Sequence, residues 1–333
     1  MKKTLCLLAL HVAVASAFAA PTAAPGYKVT GSIAIGGEAR WDYITVDSEA
    51  HRIYMSHGTQ TEVIDTQSNK LIATIPDTLG VHGIVVARDL GLGYISNGKD
   101  NSVTVFDLAT LKATAKIKVG TNPDAIVYEE KSHRVVTFNG KSEDATVIDA
   151  KTGAVVGTIA IGDKPEFAQI DPAGTIYVNG EHKSELDVID AQALKLTHRY
   201  TLKPCESPSG LAIDDKQRLY AVCDNDMMVV SATDGKRLGQ PKIGGSPDGV
   251  AWMDGFAFSA NGEDGTVSVV GETAAGKFET VATVATAFGA RTIAADPATH
   301  KLYVPAADFA PASGGGKRQG MPGTFRILVL EKQ

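Results

Sequence analysis

Cysteine and tryptophan are both scarce: the 333 residues include three cysteines and two tryptophans, and aromatic residues make up 6% of the chain. So few cysteines exclude a disulfide-dense miniature scaffold. Long apolar runs are also lacking, the longest being about fifteen residues near the N-terminus, broken by His11 and too short for a membrane span. Positive charge is not in excess: the net formal charge is −6. That excludes the concentrated basic surface a general nucleic-acid binder needs to neutralise phosphates. Catalytic signatures are missing as well. Gly244, Ser246 and Asp248 lack the final glycine of G-x-S-x-G, and there is no phosphate-binding or dinucleotide fingerprint, HExxH or CxxC. No low-complexity block occurs, and 44% hydrophobic against 21% charged residues describes a folded chain rather than a disordered one.

The first twenty residues, MKKTLCLLALHVAVASAFAA, have two lysines, an apolar run and small residues ending at Ala19 and Ala20. This is the pattern of a secretory signal peptide, so the expectation is an exported protein, periplasmic or secreted. Cys6 lies inside the apolar run, not at the cleavage point of a lipoprotein. Cys205 and Cys223 are then the pair left after export, and an oxidising compartment makes a single disulfide the expectation. A reactive thiol pair is the alternative.

The remaining chain repeats. Short apolar runs opened by a polar residue begin at Asp42 (DYITVD), His82 (HGIVVA), Asp124 (DAIVYE), Glu166 (EFAQID), Ser209 (SGLAID), Asp248 (DGVAWM) and Arg291 (RTIAAD). Successive starts lie 40, 42, 42, 43, 39 and 43 residues apart. A period near forty with short β-type runs and Asn-Gly turns predicts four-stranded propeller blades. No span has sustained helical spacing. The last unit offers strands at 291–295, 301–304 and 325–330 and then stops. Residues 29–35 match the outer strand of other units and are expected to supply the missing strand, closing a ring that leaves no open edge. The fold expected is all-β: one seven-bladed β-propeller domain over 27–333.

With IYVNG at 176–180 followed by VIDA at 188–191, the chain resembles the YncE-like, YVTN-repeat seven-bladed propellers of bacteria. The resemblance covers essentially all of 27–333. It implies the fold; propellers of this kind include ligand binders, recognition modules and lactonases, so it does not choose an activity.

The blade topology places the residues that open each inner strand around a central funnel. Asp42, His82, Asp124, Glu166, Asp248 and Arg291 are the candidate ligand-binding set, with Ser209 the uncharged seventh. The loops joining second and third strands add His57, Asn97, Asn139, Asn179, Glu181, His182, Asn225 and Asn261 on the same face. Turn chemistry accounts for Asn before Gly, but several like charges facing one funnel repel unless Arg291 or a cation offsets them. Two cation sets are compatible with the residue types. His57 and His82 with carboxylates suit Zn²⁺; Glu166, Asn179, Asn225 and Asp248 are an oxygen set suited to Ca²⁺, like that of lactonase-type propellers. The loop 305–324, with Gly314–Gly316, Lys317 and Arg318, reads as a basic flap over the funnel. The leading expectation is a module binding a small molecule or a protein through an acidic funnel. A metal-assisted hydrolase of lactonase type is the alternative, and a scaffold using the outer strands a third reading.

Overall fold

Seven runs of four strands each form an antiparallel meander, and the seven meanders stand around an axis as blades. The structure, a computed structural model, describes residues 25–311 and 318–333. The segment expected to be a signal peptide and the Gly314–Gly316 run with Lys317 lie outside the described residues. We letter the strands a to d from the axis outward. Blade 1 comprises Trp41–Asp47, Arg52–His57, Gln60–Asp65 and Lys70–Ile75, and blades 2 to 6 follow in chain order. The helical element among the described residues is one 3₁₀ turn, Arg88–Leu90.

Blade 7 is made from both ends of the chain. Its strands a to c are Ala294–Asp296, Lys301–Ala306 and Arg326–Lys332; Tyr27–Ala34 pairs antiparallel with the last of these as strand d. Successive inner strands touch one another around the whole ring, including blade 7 against blade 1. The seam is tied by Thr292 Oγ1, which donates to the Asp42 carbonyl at 2.8 Å.

Burial grades outward as the radial geometry requires. Strand b is buried along nearly its full length in every blade, whereas strand d is largely exposed. In five blades strand b carries a buried tyrosine at the same register: Tyr54, Tyr94, Tyr177, Tyr220 and Tyr303. Their rings fill the interblade layers, and three hydroxyls reach partners there: Tyr94 to the Ala150 carbonyl, Tyr177 to Asp171 and Tyr220 to Asp214. The Asp that ends strand c has a local role on the opposite face. Asp65, Asp107 and Asp149 each accept the backbone N–H three residues on, forming the Asx turn into strand d.

Cys205 and Cys223 form a disulfide with Cα atoms 5.6 Å apart, fastening the 4–5 interblade loop to the end of strand b in blade 5. The bridge spans 18 residues, for which chain-entropy reasoning gives about 3 kcal/mol. The Cys205→Ser/Cys223→Ser variant, or wild type under reductant, should unfold at correspondingly lower urea. An unchanged midpoint would mean that the packing around blade 5 holds without the bridge.

Candidate functional site

A single backbone device builds the centre of the ring. In blades 1, 2, 3, 4 and 6 the register between strands a and b slips just after the first residue of strand a. A β-bulge there re-aims the next side chain away from the sheet. That next residue is Asp42, His82, Asp124, Glu166 and Asp248 in the five blades. In blades 5 and 7 strand a begins later, and Ser209 and Arg291 precede it in loop conformation.

These residues converge on a chamber of about 220 Å³ lined by Asp42, Asp124, Glu166, Ser209, Asp248 and Arg291 together with Tyr43, Phe167 and Thr292. His82 stands at its edge, lining instead a wider vestibule of about 490 Å³ that shares Asp42 and Arg291 with the chamber. Close approach of the inner strands makes the chamber small. A Cβ on Gly210 would lie 2.7 Å from the Asp248 carbonyl oxygen, and one on Gly249 3.0 Å from the Thr292 Cα. A small residue therefore follows the axial residue in blades 2, 3, 5 and 6: Gly83, Ala125, Gly210 and Gly249. Blades 1 and 4 depart from this pattern with Tyr43 and Phe167, whose rings meet with centroids 4.9 Å apart and close the chamber floor. Tyr43 is a residue the sequence reading passed over; its size at a position held by Gly or Ala in four of the other blades was the available signal.

The charges are arranged in compensated sets. His82 Nδ1 lies 2.5 Å from Asp42 Oδ2 and 3.9 Å from Asp124 Oδ1. Burial opposes the imidazolium, but the Asp42 hydrogen bond and the charges of Asp124, Asp42 and Glu166 outweigh it and hold the His82 pKa up to about 9. Asp124 is pushed up to about 6, first by burial and then, against the pull of His82, by the Asp42 charge. Glu166 is pushed up to about 9 by burial and by Asp124. Its Oε1 accepts a hydrogen bond from the ammonium of Lys164, which also pairs with Glu181. Asp248 is raised by burial, against the neighbouring Arg291, whose Nε donates to its Oδ2 at 2.7 Å. Arg291 is itself held in place by the Trp41 carbonyl at 3.1 Å and by its position 5.7 Å from the Trp41 ring. Burial and four surrounding carboxyl groups keep Tyr43 a neutral phenol far above its ordinary range.

Other candidates take different places. His57 is buried, its Nδ1 3.0 Å from Glu62 Oε1 and its Nε2 2.7 Å from the Glu38 carbonyl oxygen, so both nitrogens are committed and it does not join His82. Asn97, Asn139, Asn179 and Asn261 are fully buried rather than ranged around the funnel. Three of their amides bind Ser, Thr or Asp side chains of strand c; that of Asn179 bonds the Ser209 and Gly210 carbonyls. Asn179 and the exposed Asn225 are not among the residues lining the chamber, so the Glu166–Asn179–Asn225–Asp248 oxygen set does not assemble there. Asp42, His82 and Asp124 do bring one ligand atom each within 4.8 Å of one another, the three-residue grouping compatible with a metal ion found among the described residues. Lys164, absent from the expected set, is the cation that faces Glu166.

The base of the expected flap is a docked hairpin. Met321 N–H donates to the Asp308 carbonyl, Ala310 N–H to the Gln319 carbonyl, and Gly323 N–H reaches the Gly37 carbonyl of blade 1. Phe309 packs edge-on to Trp41 and Phe288, and Arg318 lies 4.4 Å from the Phe288 ring.

The pKa directions determine a pH dependence. An imidazole raised from 6.5 to about 9 contributes stability that is complete below pH 6.5 and is lost as pH rises through about 9. Glu166, raised from 4.5 to about 9, binds its proton more tightly in the folded state, so it too costs stability as pH rises across that range. The melting temperature should therefore fall from pH 6 to pH 9, with His82 alone accounting for about 2–3 kcal/mol. Asp42→Asn should move the His82 NMR titration to lower pH and flatten this fall. A wild-type melting temperature level from pH 6 to 9 would contradict the assigned geometry.

No family model and no curated protein matches the chain. Among solved structures, hydrazine synthase from Kuenenia stuttgartiensis superposes with a TM-score of 0.71, covering 83% of this chain and 95% of that chain at 16% identity. At that identity the likeness is one of fold alone.

Proposed function

We propose that this chain is an exported β-propeller binding module of the YncE-like kind, whose ligand is a small molecule with a positively charged group seated in the central chamber. The observation that carries the reading is the convergence of axial side chains from six blades on one enclosed volume, four of them carboxyl groups. Asp42, Asp124 and Asp248 present oxygens toward it, Tyr43 supplies a hydroxyl, and the Tyr43–Phe167 pair gives an aromatic floor on which a cation is favoured. Arg291 and His82 offset the negative charge of Asp248 and Asp42. The Cys205–Cys223 bridge supports an oxidising compartment, periplasmic or extracellular, as does the N-terminal signal pattern. Among the described residues no helix is long and apolar enough to cross a membrane.

A second reading rests on the Asp42–His82–Asp124 grouping. Two carboxylates and an imidazole fit Zn²⁺ better than Ca²⁺, since Ca²⁺ takes oxygen ligands throughout. A bound divalent ion would polarise an ester or lactone carbonyl. For such a hydrolysis this chain would offer Glu166 as a carboxyl group that holds its proton at neutral pH, positioned by Lys164 and available to protonate a leaving alkoxide.

Titration of the purified protein with Zn²⁺, Ca²⁺ and a panel of primary amines, followed calorimetrically, separates these readings. The binding module takes up an amine, and Asp124→Asn/Asp248→Asn weakens it at least tenfold while the protein stays folded. The metal reading requires one Zn²⁺ per chain, lost in His82→Asn, together with lactone turnover lost in Glu166→Gln. Binding of neither class overturns both.

A further inference from the structure

Above the chamber the rim is electrically divided, and the division follows the blade register. The residue just after the Gly that follows strand b donates its backbone N–H to the preceding interblade loop in three blades: Lys99 to Leu79, Lys141 to Thr121 and Glu263 to Gly245; in blade 4 Glu181 N–H reaches Lys164, the bond that Gly98, Gly140 and Gly262 make in those blades. The same backbone geometry thus presents lysine in blades 2 and 3 and glutamate in blade 6, with Glu181 one register position away in blade 4. Arg40, the last residue before strand a of blade 1, adds a third cation to the basic side. Arg40, Lys99 and Lys141 all line the vestibule of about 490 Å³, with Asn122 between the two lysines. On the acidic side Glu181 pairs with Lys164. On the basic side, Arg40, Lys99 and Lys141 have no carboxylate partner among the described residues.

We infer that the vestibule is an anion subsite for a compact oxyanion, a carboxylate or a phosphate group, held by Lys99, Lys141 and Arg40. Three exposed cations converging on one concavity raise one another's electrostatic energy, and an anion between them relieves it. The volume suits a small ligand. The Gly98 and Gly140 amides are pinned to the Gly80 and Asn122 carbonyls at 2.8 Å each, so both lysine stems start from fixed backbone. Only the side-chain ends need to order when the anion arrives. Asp42 and Arg291 line both cavities, so a group on the rim and a group in the chamber belong to one continuous channel. The subsite stands independently of the chamber reading, because none of its three cations lines the chamber.

The experiment is calorimetric titration of the full exported chain at low ionic strength with citrate and, separately, inorganic phosphate. Expected is saturable binding of at least one probe that weakens steeply with added salt. Lys99→Gln/Lys141→Gln should weaken it at least tenfold, while Lys195→Gln, on the outer strand of blade 4, leaves it within twofold. The tighter probe identifies the anion class. Retained binding in Asp124→Asn separates the vestibule from the chamber; loss there with the lysine variant unaffected would move the anion to the chamber and overturn the assignment. Unchanged affinity in the double lysine variant, or uptake of neither probe by wild type, overturns it too. The three substitutions other than Asp124→Asn are of exposed lysines, and equal melting temperatures verify that the variants are folded.

Discussion

Closure of the ring is the constraint on which everything else rests. Tyr27–Ala34 must travel the length of the chain to pair with Arg326–Lys332, and only then do seven inner strands share one axis. The seam is also where the site is joined. Thr292 and Arg291 of blade 7 hydrogen-bond the Asp42 and Trp41 carbonyls of blade 1. The same stretch that supplies the guanidinium for Asp248 therefore locks the first blade to the last. Losing this closure would cost more than an edge strand: it would dissolve the chamber, because the axial residues have no other reason to meet.

Convergence creates an electrostatic problem, and the pattern of partners is its solution. Four carboxyl groups around a small chamber are tolerable because each has a counterpart or keeps its proton. Asp42 has His82, Asp248 has Arg291, and Glu166 combines a raised pKa with the neighbouring Lys164. Arranged this way, the chamber carries charge that can be exchanged: the cationic ligand proposed for it would replace internal compensation instead of adding to it. The vestibule presents the reverse case, cations whose compensation is left to come from outside.

Much of the fold was legible because the propeller writes its geometry as a period. Blade count, strand limits near those observed, and the borrowed N-terminal strand all follow from forty-residue spacing and the truncated last unit. The axial residues were legible for the same reason, since a polar residue opening an apolar inner strand recurs at one register. The asparagines misled because a residue before a turn glycine has the same signature whether it faces solvent or ties strand b to strand c. His57 misled similarly: chain position puts it on the correct face, but its partners Glu62 and Glu38 come from neighbouring loop and strand, and only packing reveals that both nitrogens are taken.

By itself, then, the sequence determined the repeat, the all-β architecture, the way the ring closes and the identity of the side chains at the axis. These depend on local alternation and spacing, which are properties of the chain. What the tertiary structure decided was which of those side chains come together. The β-bulge aims the axial residues inward, Tyr43 and Phe167 close the floor, Lys164 meets Glu166, and the rim divides into basic and acidic arcs. The floor and the arcs join residues forty or more positions apart, at distances set by the radius of the ring and by how closely glycine lets the inner strands approach.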